Sequence, residues 1–190
     1  EVGVYSAATR ISEAWYFIAV AINASIYPTL VRLREQSIEN FNKRLQQIFN
    51  LMVQISFVMA IIVTFFAPTI IQLLFGSDYV EAIEVLRIHI WAGVFVFLNN
   101  AVWAWYTIEN KQKLANYRIV TGLFLNVVLN IILIPLYGII GAALATLTSR
   151  AFVTYFGQLI SHETRFLFIM MSHSILSVGM QRKFLLRKSS

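Results

Sequence analysis

Ile119-Val-Thr-Gly122-Leu-Phe-Leu-Asn126-Val-Val-Leu-Asn130-Ile-Ile-Leu-Ile-Pro135-Leu-Tyr-Gly138-Ile-Ile-Gly141-Ala142-Ala143-Leu-Ala145-Thr146-Leu-Thr-Ser149 is the stretch that decides the fold, because it holds no charged residue. At 1.5 Å per residue an unbroken helix of that length measures about 46 Å, against a hydrocarbon core of about 30 Å. Pro135-Leu-Tyr-Gly138 interrupts it near the middle. The simplest solution is two membrane-crossing helices joined by a very tight hairpin.

Composition agrees. Hydrophobic residues make up 58% of the chain and charged residues 13%, about half the charge of an ordinary soluble domain, and mean hydropathy is +0.70. The net charge of +6 does not indicate a nucleic-acid partner, since the basic residues sit in short segments between apolar spans, as the positive-inside rule expects. Cysteine is absent, which removes disulfides and thiolate metal sites. The chain opens Glu-Val-Gly without a signal-peptide pattern and is read as the C-terminal part of a longer protein.

Working outward from the hairpin, the pattern predicts an all-α, polytopic transmembrane bundle of about five spans: 5–31, 46–75, 83–108, 114–134 and 139–160. The first closes near Pro28, and the second is bent or ended by Pro68, where proline removes a backbone bond. Arg32, Arg34, Lys43 and Arg44 follow the first span; Lys111, Lys113 and Arg118 follow the third; Arg165, Arg182, Lys183, Arg187 and Lys188 follow the fifth. These alternate with an acidic segment (Asp78, Glu81, Glu84) and the uncharged hairpin, which places Glu1 outside and a basic tail, 162–190, in the cytoplasm. Within that tail Phe166 to Met171 is too short to cross. The tail is left open as an amphipathic segment on the inner leaflet or a disordered end. Trp15, Tyr16, Trp103, Trp105 and Tyr106 near span ends read as aromatic belts.

Ionisable groups at bilayer depth cost about 2.5–3.5 kcal/mol on insertion scales, so each needs a reason. Arg10 and Glu13, three apart, share a helix face and can pair, with Glu13 about 14 Å into the first span. They read either as charges facing a wet cavity, with Arg10 the one to meet an anion, or as an internal salt bridge. Arg150 lies at similar depth, about 18 Å into the fifth span, and reads as a cation snorkelling to headgroups or as a partner of Glu13. Asn126 and Asn130, one turn apart, read as interhelical glue. Asn23, Asn99 and Asn100 invite the same reading, and Gln47, Asn50 and Gln54 form an interfacial polar stripe. Small residues spaced by four, Gly138/Ala142 and Gly141/Ala145/Ser149, signal close packing. His89 and His162 sit at span edges and His173 in the tail, none with a second ligand at metal spacing. No cofactor, phosphate loop or nucleophile motif is present in the sequence, and no enzyme reading arises.

Three segments carry a family resemblance. Val2-Gly3-Val4-Tyr5-Ser6-Ala7-Ala8-Thr9-Arg10-Ile11-Ser12-Glu13 resembles the opening of the eighth helix of bacterial polysaccharide (O-antigen type) flippases. Leu74-Phe75-Gly76-Ser77-Asp78-Tyr79, with Ala82 and Val85-Leu86-Arg87, resembles the loop after the next helix. Asn126 through Thr146 is similar to the family's most recognisable stretch. The resemblance covers about residues 1–161 and fails in the tail. It implies the superfamily that includes multidrug extruders and lipid II flippases: two pseudo-symmetric lobes, alternating access, no covalent catalysis, this chain being most of the second lobe and partnered by the N-terminal half of the same protein. It further implies flipping of an undecaprenyl-diphosphate-linked oligosaccharide across the bacterial cytoplasmic membrane, with Arg10, then Arg150, meeting the diphosphate and Glu13 orienting Arg10 or carrying a proton. A cation-coupled drug extruder of the same fold and a non-transporting scaffold of a polysaccharide synthesis complex are the alternatives. A membrane-embedded ligase would need larger loops than these.

Overall fold

The computed structural model describes residues 2–187, with side chains through residue 177. Among them there are helices and turns and no strand: α1 (Val2–Glu13), α2 (Tyr16–Gln36), α3 (Ile38–Phe75), α4 (Ala82–Ile108), α5 (Gln112–Tyr137), α6 (Ile139–Thr154) and α7 (Arg165–Arg187). Five segments are long and apolar enough to cross a membrane: α1 with α2, α3, α4, α5, and α6 extended to Leu159. The expected five-span all-helical bundle is therefore the observed one.

The prolines do not end helices. α2 runs through Pro28 to Gln36 and α3 through Pro68 to Phe75. In a bundle, neighbouring helices and local hydroxyls satisfy the carbonyl that proline frees. Only one extended residue, Ser37, separates α2 from α3, and its Oγ accepts from the Asn40 amide at 3.3 Å, an N-cap on the first turn. α3 has 38 residues, so its first turns project beyond a bilayer about 30 Å thick.

The hairpin forms where expected. α5 continues past Pro135 to Tyr137, and Gly138, at φ 58° and ψ −136°, reverses the chain into α6. A side chain is strained in that conformation. Gly141 then packs so closely that a Cβ there would lie 2.2 Å from the Leu133 carbonyl oxygen, and one at Gly122 would lie 2.0 Å from Val153. The small-residue spacing is thus a backbone-approach device.

The first span holds an unexpected break. α1 stops at Glu13 and α2 starts at Tyr16, with a turn at Ala14 and Trp15. Just before it, Thr9 Oγ1 donates to the Ser6 carbonyl at 3.1 Å and Ser12 Oγ to the Thr9 carbonyl at 2.9 Å. Such hydroxyl-to-backbone bonds compete with the helix ladder and bend it.

α4 is the central rod. One cluster packs Phe41, Leu45, Phe49 and Met52 of α3 against Phe97, Leu98 and Tyr106 of α4 and Leu167 and Met171 of α7. A second joins Ala8 of α1, Val63 and Ile71 of α3, Leu86 and Ile90 of α4, and Ala143 of α6. α5 is the least buried span, with Val120, Leu123, Phe124, Val127 and Ile131 exposed, as suits a face solvated by lipid tails.

Within the stretch expected as a basic tail, the described residues hold a helix, α7 (Arg165–Arg187). α7 runs parallel to α3 from the end of the bundle where α4 finishes: Phe166 meets Trp105, Gln46 Nε2 donates to Met170 O at 3.0 Å and to Ser174 Oγ at 2.8 Å, and Ser174 Oγ donates to Asn50 at 2.7 Å. Gln46 and Ser174 lie about 12 and 14 Å along their helices, so α7 packs alongside the first turns of α3. The apolar run Phe166 to Met171 is followed in the same helix by Ser172-His173-Ser174. Each hydroxyl has a carbonyl within reach in its own helix, Ser172 of Phe168 O at 2.7 Å and Ser174 of Met170 O at 3.0 Å, and a partner outside it, Tyr155 and Asn50 respectively. Lys188 lies outside the described residues, as does Glu1.

The basic segments gather at one end. Arg34 at the foot of α2 makes a two-pronged contact with Glu109 after α4, at 2.5 and 3.3 Å, and Lys111 pairs with Glu163 before α7. Both pairs are partly exposed, so they report placement more than stability.

Candidate functional site

A groove of about 440 Å³, mainly apolar but with several polar side chains, runs between α4 and the α5–α6 hairpin. Asn99 of α4, Asn126 of α5, and Thr146, Ser149, Arg150 and Thr154 of α6 supply its polar lining, against apolar walls that include Phe95 and Leu123. Asn126 Nδ2 donates to Ser149 Oγ at 3.1 Å, and Asn130 Nδ2 donates to the carbonyl and side-chain oxygens of Asn126 at 2.9 and 3.0 Å. Asn126 ties the two arms of the hairpin, whereas the hydrogen bonds of Asn130 stay within α5, on Asn126.

Arg150 closes the groove towards the broken helix. Its Nη1 donates to the Tyr16 hydroxyl at 3.3 Å, the guanidinium lies 5.4 Å from the Tyr16 ring centroid, and Nη2 is 3.7 Å from Glu13 Oε1. One cation thus touches the last residue of α1 and the first of α2. Of the two fates considered for Arg150, pairing with Glu13 is the one seen. The expected Arg10–Glu13 pair does not form, because Glu13 turns to α6 instead. Arg10 is exposed and has no ion pair or side-chain hydrogen bond among the described residues. Arg10, Glu13 and Arg150 therefore lie around one structural feature, the α1–α2 break.

On the other side of the hairpin is a larger, almost wholly apolar chamber of about 990 Å³, walled by Phe57, Trp91, Phe124, Leu125 and Phe152 and sharing Phe95 with the groove.

Two residues were misread from sequence. His89, expected at a span edge, is inside α4 and only 2% exposed, with Nδ1 2.7 Å from Ser12 Oγ and the Tyr5 ring edge-on at 6.2 Å. Arg118, counted with the loop cations, is 8% exposed. Its Nη1 donates to the Tyr106 hydroxyl at 2.6 Å and Nη2 to the Val153 carbonyl. Tyr106 in turn donates to Gln158 at 3.0 Å, and Gln158 to the Thr154 carbonyl at 3.0 Å. Together they satisfy the open end of α6, whose 16 residues span only about 24 Å. Helix C-termini leave carbonyls unpaired and favour cations. The one available signal was the proximity of Arg118 to the uncharged run. Among the described residues no group of His, Asp and Glu is arranged to hold a metal ion.

Comparison with known proteins bears on this geometry. Residues 4–178 match the family model described as lipid II flippase MurJ. A probable low-salt glycan biosynthesis flippase of Haloferax volcanii, Agl15, is 29% identical over 158 residues, covering 79% of this chain and 32% of that protein. A probable flippase of the same organism, AglR, is 27% identical over 161 residues, covering 78% and 32%. An uncharacterized membrane protein of Methanocaldococcus jannaschii is 25% identical over 131 residues, covering 68% and 26%. The chain spans about a quarter to a third of the length of these curated relatives. No solved structure matches it.

Proposed function

We propose, from the premise that this chain belongs to the lipid II flippase MurJ family, that it forms most of the second lobe of a transporter flipping undecaprenyl-diphosphate-linked oligosaccharide. The product is surface polysaccharide and the setting a bacterial cytoplasmic membrane, with the N-terminal half of the same protein supplying the facing lobe. Members of this flippase family are transporters rather than enzymes.

The observation that carries the reading is Arg150, a guanidinium at the rim of a groove with polar side chains inside an apolar bundle and held at a helix break by Tyr16 and Glu13. Sugars and a diphosphate cannot enter hydrocarbon, so a translocation path needs polar lining and cationic donors. Arg150 and Arg10, which has no ion pair among the described residues, supply the donors. Glu13 positions Arg150, and Asn126 and Asn130 keep the hairpin wall closed. The flippase names printed for the two Haloferax relatives support a glycan-linked lipid as cargo.

The aromatic chamber favours a second reading, a cation-coupled extruder of apolar drugs on the same fold. The scaffold alternative would need no wet groove. Reconstitution separates all three. Proteoliposomes carrying the full-length protein are expected to move a fluorescent polyprenyl-diphosphate oligosaccharide, and Arg150→Ala to slow it at least about tenfold, the cost of a lost charge-assisted hydrogen bond. Movement of dyes alone would favour the extruder, and movement of neither the scaffold.

A further inference from the structure

One amide in the groove is open: Asn99 of α4. The other asparagines nearby are engaged, Asn126 with Ser149 at 3.1 Å and Asn100 with the Val96 carbonyl of its own helix at 3.0 Å. Asn99 makes neither kind of bond, and its side chain has no hydrogen-bond partner among the described residues. It lies about 14 Å from the Ile108 end of α4, within a membrane-crossing span. An amide brings two donor hydrogens and an acceptor oxygen, and in apolar surroundings these cost free energy unless something answers them. The interhelical role expected of Asn99 is therefore not the one its surroundings show.

What surrounds Asn99 narrows the ligand. Phe95, one turn earlier on α4, lines the same groove. From α6 comes Thr154, also in the lining. Its carbonyl accepts from Gln158 at 3.0 Å, but its hydroxyl has no partner among the described residues. Thr154 follows Arg150 by one turn, about 6 Å along the helix and on the same face. The groove volume of about 440 Å³ lies within the range of small-molecule pockets, about 300–1,000 Å³. Arg150 is its one charged lining residue. An aromatic ring beside an uncharged amide and hydroxyl suits a sugar. The C–H face of a sugar ring packs against the negative face of an aromatic ring. Its hydroxyls, each both donor and acceptor, exchange hydrogen bonds with the amide and the threonine. One helical turn towards Arg150 is also about the step from a sugar ring to the phosphate it is linked to.

We propose that Asn99 and Thr154, beside the Phe95 ring, form a subsite that reads the hydroxyls of a neutral sugar while Arg150 holds the anion to which that sugar is linked. Asn99 and Thr154 then select among glycans, and the guanidinium selects for the diphosphate. A site that hydrogen-bonds a hydroxyl discriminates strongly against a ligand lacking it, because the protein groups are left unpaired. The subsite rests on the reading of the cargo as a sugar-bearing diphosphate lipid. It fails separately from the role of Arg150, since removing the sugar from the cargo probes one and replacing the guanidinium probes the other.

The test uses the full-length protein in lipid nanodiscs and two probes: a polyprenyl diphosphate carrying the host's own oligosaccharide, and the same polyprenyl diphosphate without sugar. The native protein is expected to bind the first at least about tenfold more tightly, as several hydrogen bonds allow. Asn99→Leu keeps the size and removes the amide, and should cut that ratio about fivefold, the size expected for one or two lost hydrogen bonds. Thr154→Val, which keeps the shape, should lower the ratio as well. Neither variant should change binding of the bare diphosphate, whereas Arg150→Ala should weaken both probes and keep the ratio. A native ratio near one overturns the subsite. So does a ratio that survives both Asn99→Leu and Thr154→Val, or an equal loss of both probes in Asn99→Leu, which would make that residue structural. An Arg150→Ala protein that binds both probes normally, with the ratio kept, would overturn the cationic reading and support the subsite.

Discussion

Arg118 of α5 caps the last turn of α6 by donating to the carbonyl oxygen of Val153. The same guanidinium holds the Tyr106 hydroxyl of α4 at 2.6 Å, so three helices meet on one buried cation. Its Nε has no partner among the described residues. Arg118→Met should orphan the Val153 carbonyl and cost about 1–3 kcal/mol, the desolvation penalty of an unsatisfied buried polar group. Thermal unfolding of the detergent-solubilised protein measures it, and an unchanged midpoint would show that α6 ends without this cap.

The hairpin makes a sharper prediction. Gly141→Ala places a Cβ against the Leu133 backbone, where no flexible side chain can yield, and overpacking of this kind costs about 1–3 kcal/mol. Gly138→Ala should cost about as much, through strain at positive φ rather than through a clash. Gly3→Ala, with open space around it, is the control and should leave the midpoint where it is.

Asn126→Leu removes the α5–α6 side-chain bond to Ser149 and the anchor of Asn130. Interhelical bonds of this kind are worth about 0.6–2 kcal/mol. A double-mutant cycle with Ser149→Ala should return a coupling in that range. Zero coupling would reduce the pair to bystanders.

How much could be read in advance follows from what each feature depends on. The α5–α6 hairpin and the five spans rest on local runs of apolar residues and on Gly138, so periodicity and length suffice. Asn126 was legible because an amide in hydrocarbon has few uses. The break after Glu13 was not, since it depends on Ser12 and Thr9 bonding back to the helix and on Arg150 arriving from α6. The expected Arg10–Glu13 pair failed for the same reason: spacing gives proximity, but a cation on another helix competes for the carboxylate. Arg118 looked like a loop charge because its acceptors, Tyr106 and Val153, lie on other helices. The apolar run of α7 ends at a Ser-His-Ser segment whose serine hydroxyls find partners in the helix and on Tyr155 and Asn50 outside it.

Arg10 gives the most direct test of the proposed translocation path. It has no ion pair or side-chain hydrogen bond among the described residues, so removing it should not weaken the fold. In cells that rely on the full-length protein, Arg10→Ala is predicted to reach the membrane in normal amount while surface polysaccharide falls at least about tenfold, as for a lost charge-assisted contact. Normal surface polysaccharide in that variant would contradict a role for Arg10 in carrying the anionic lipid across.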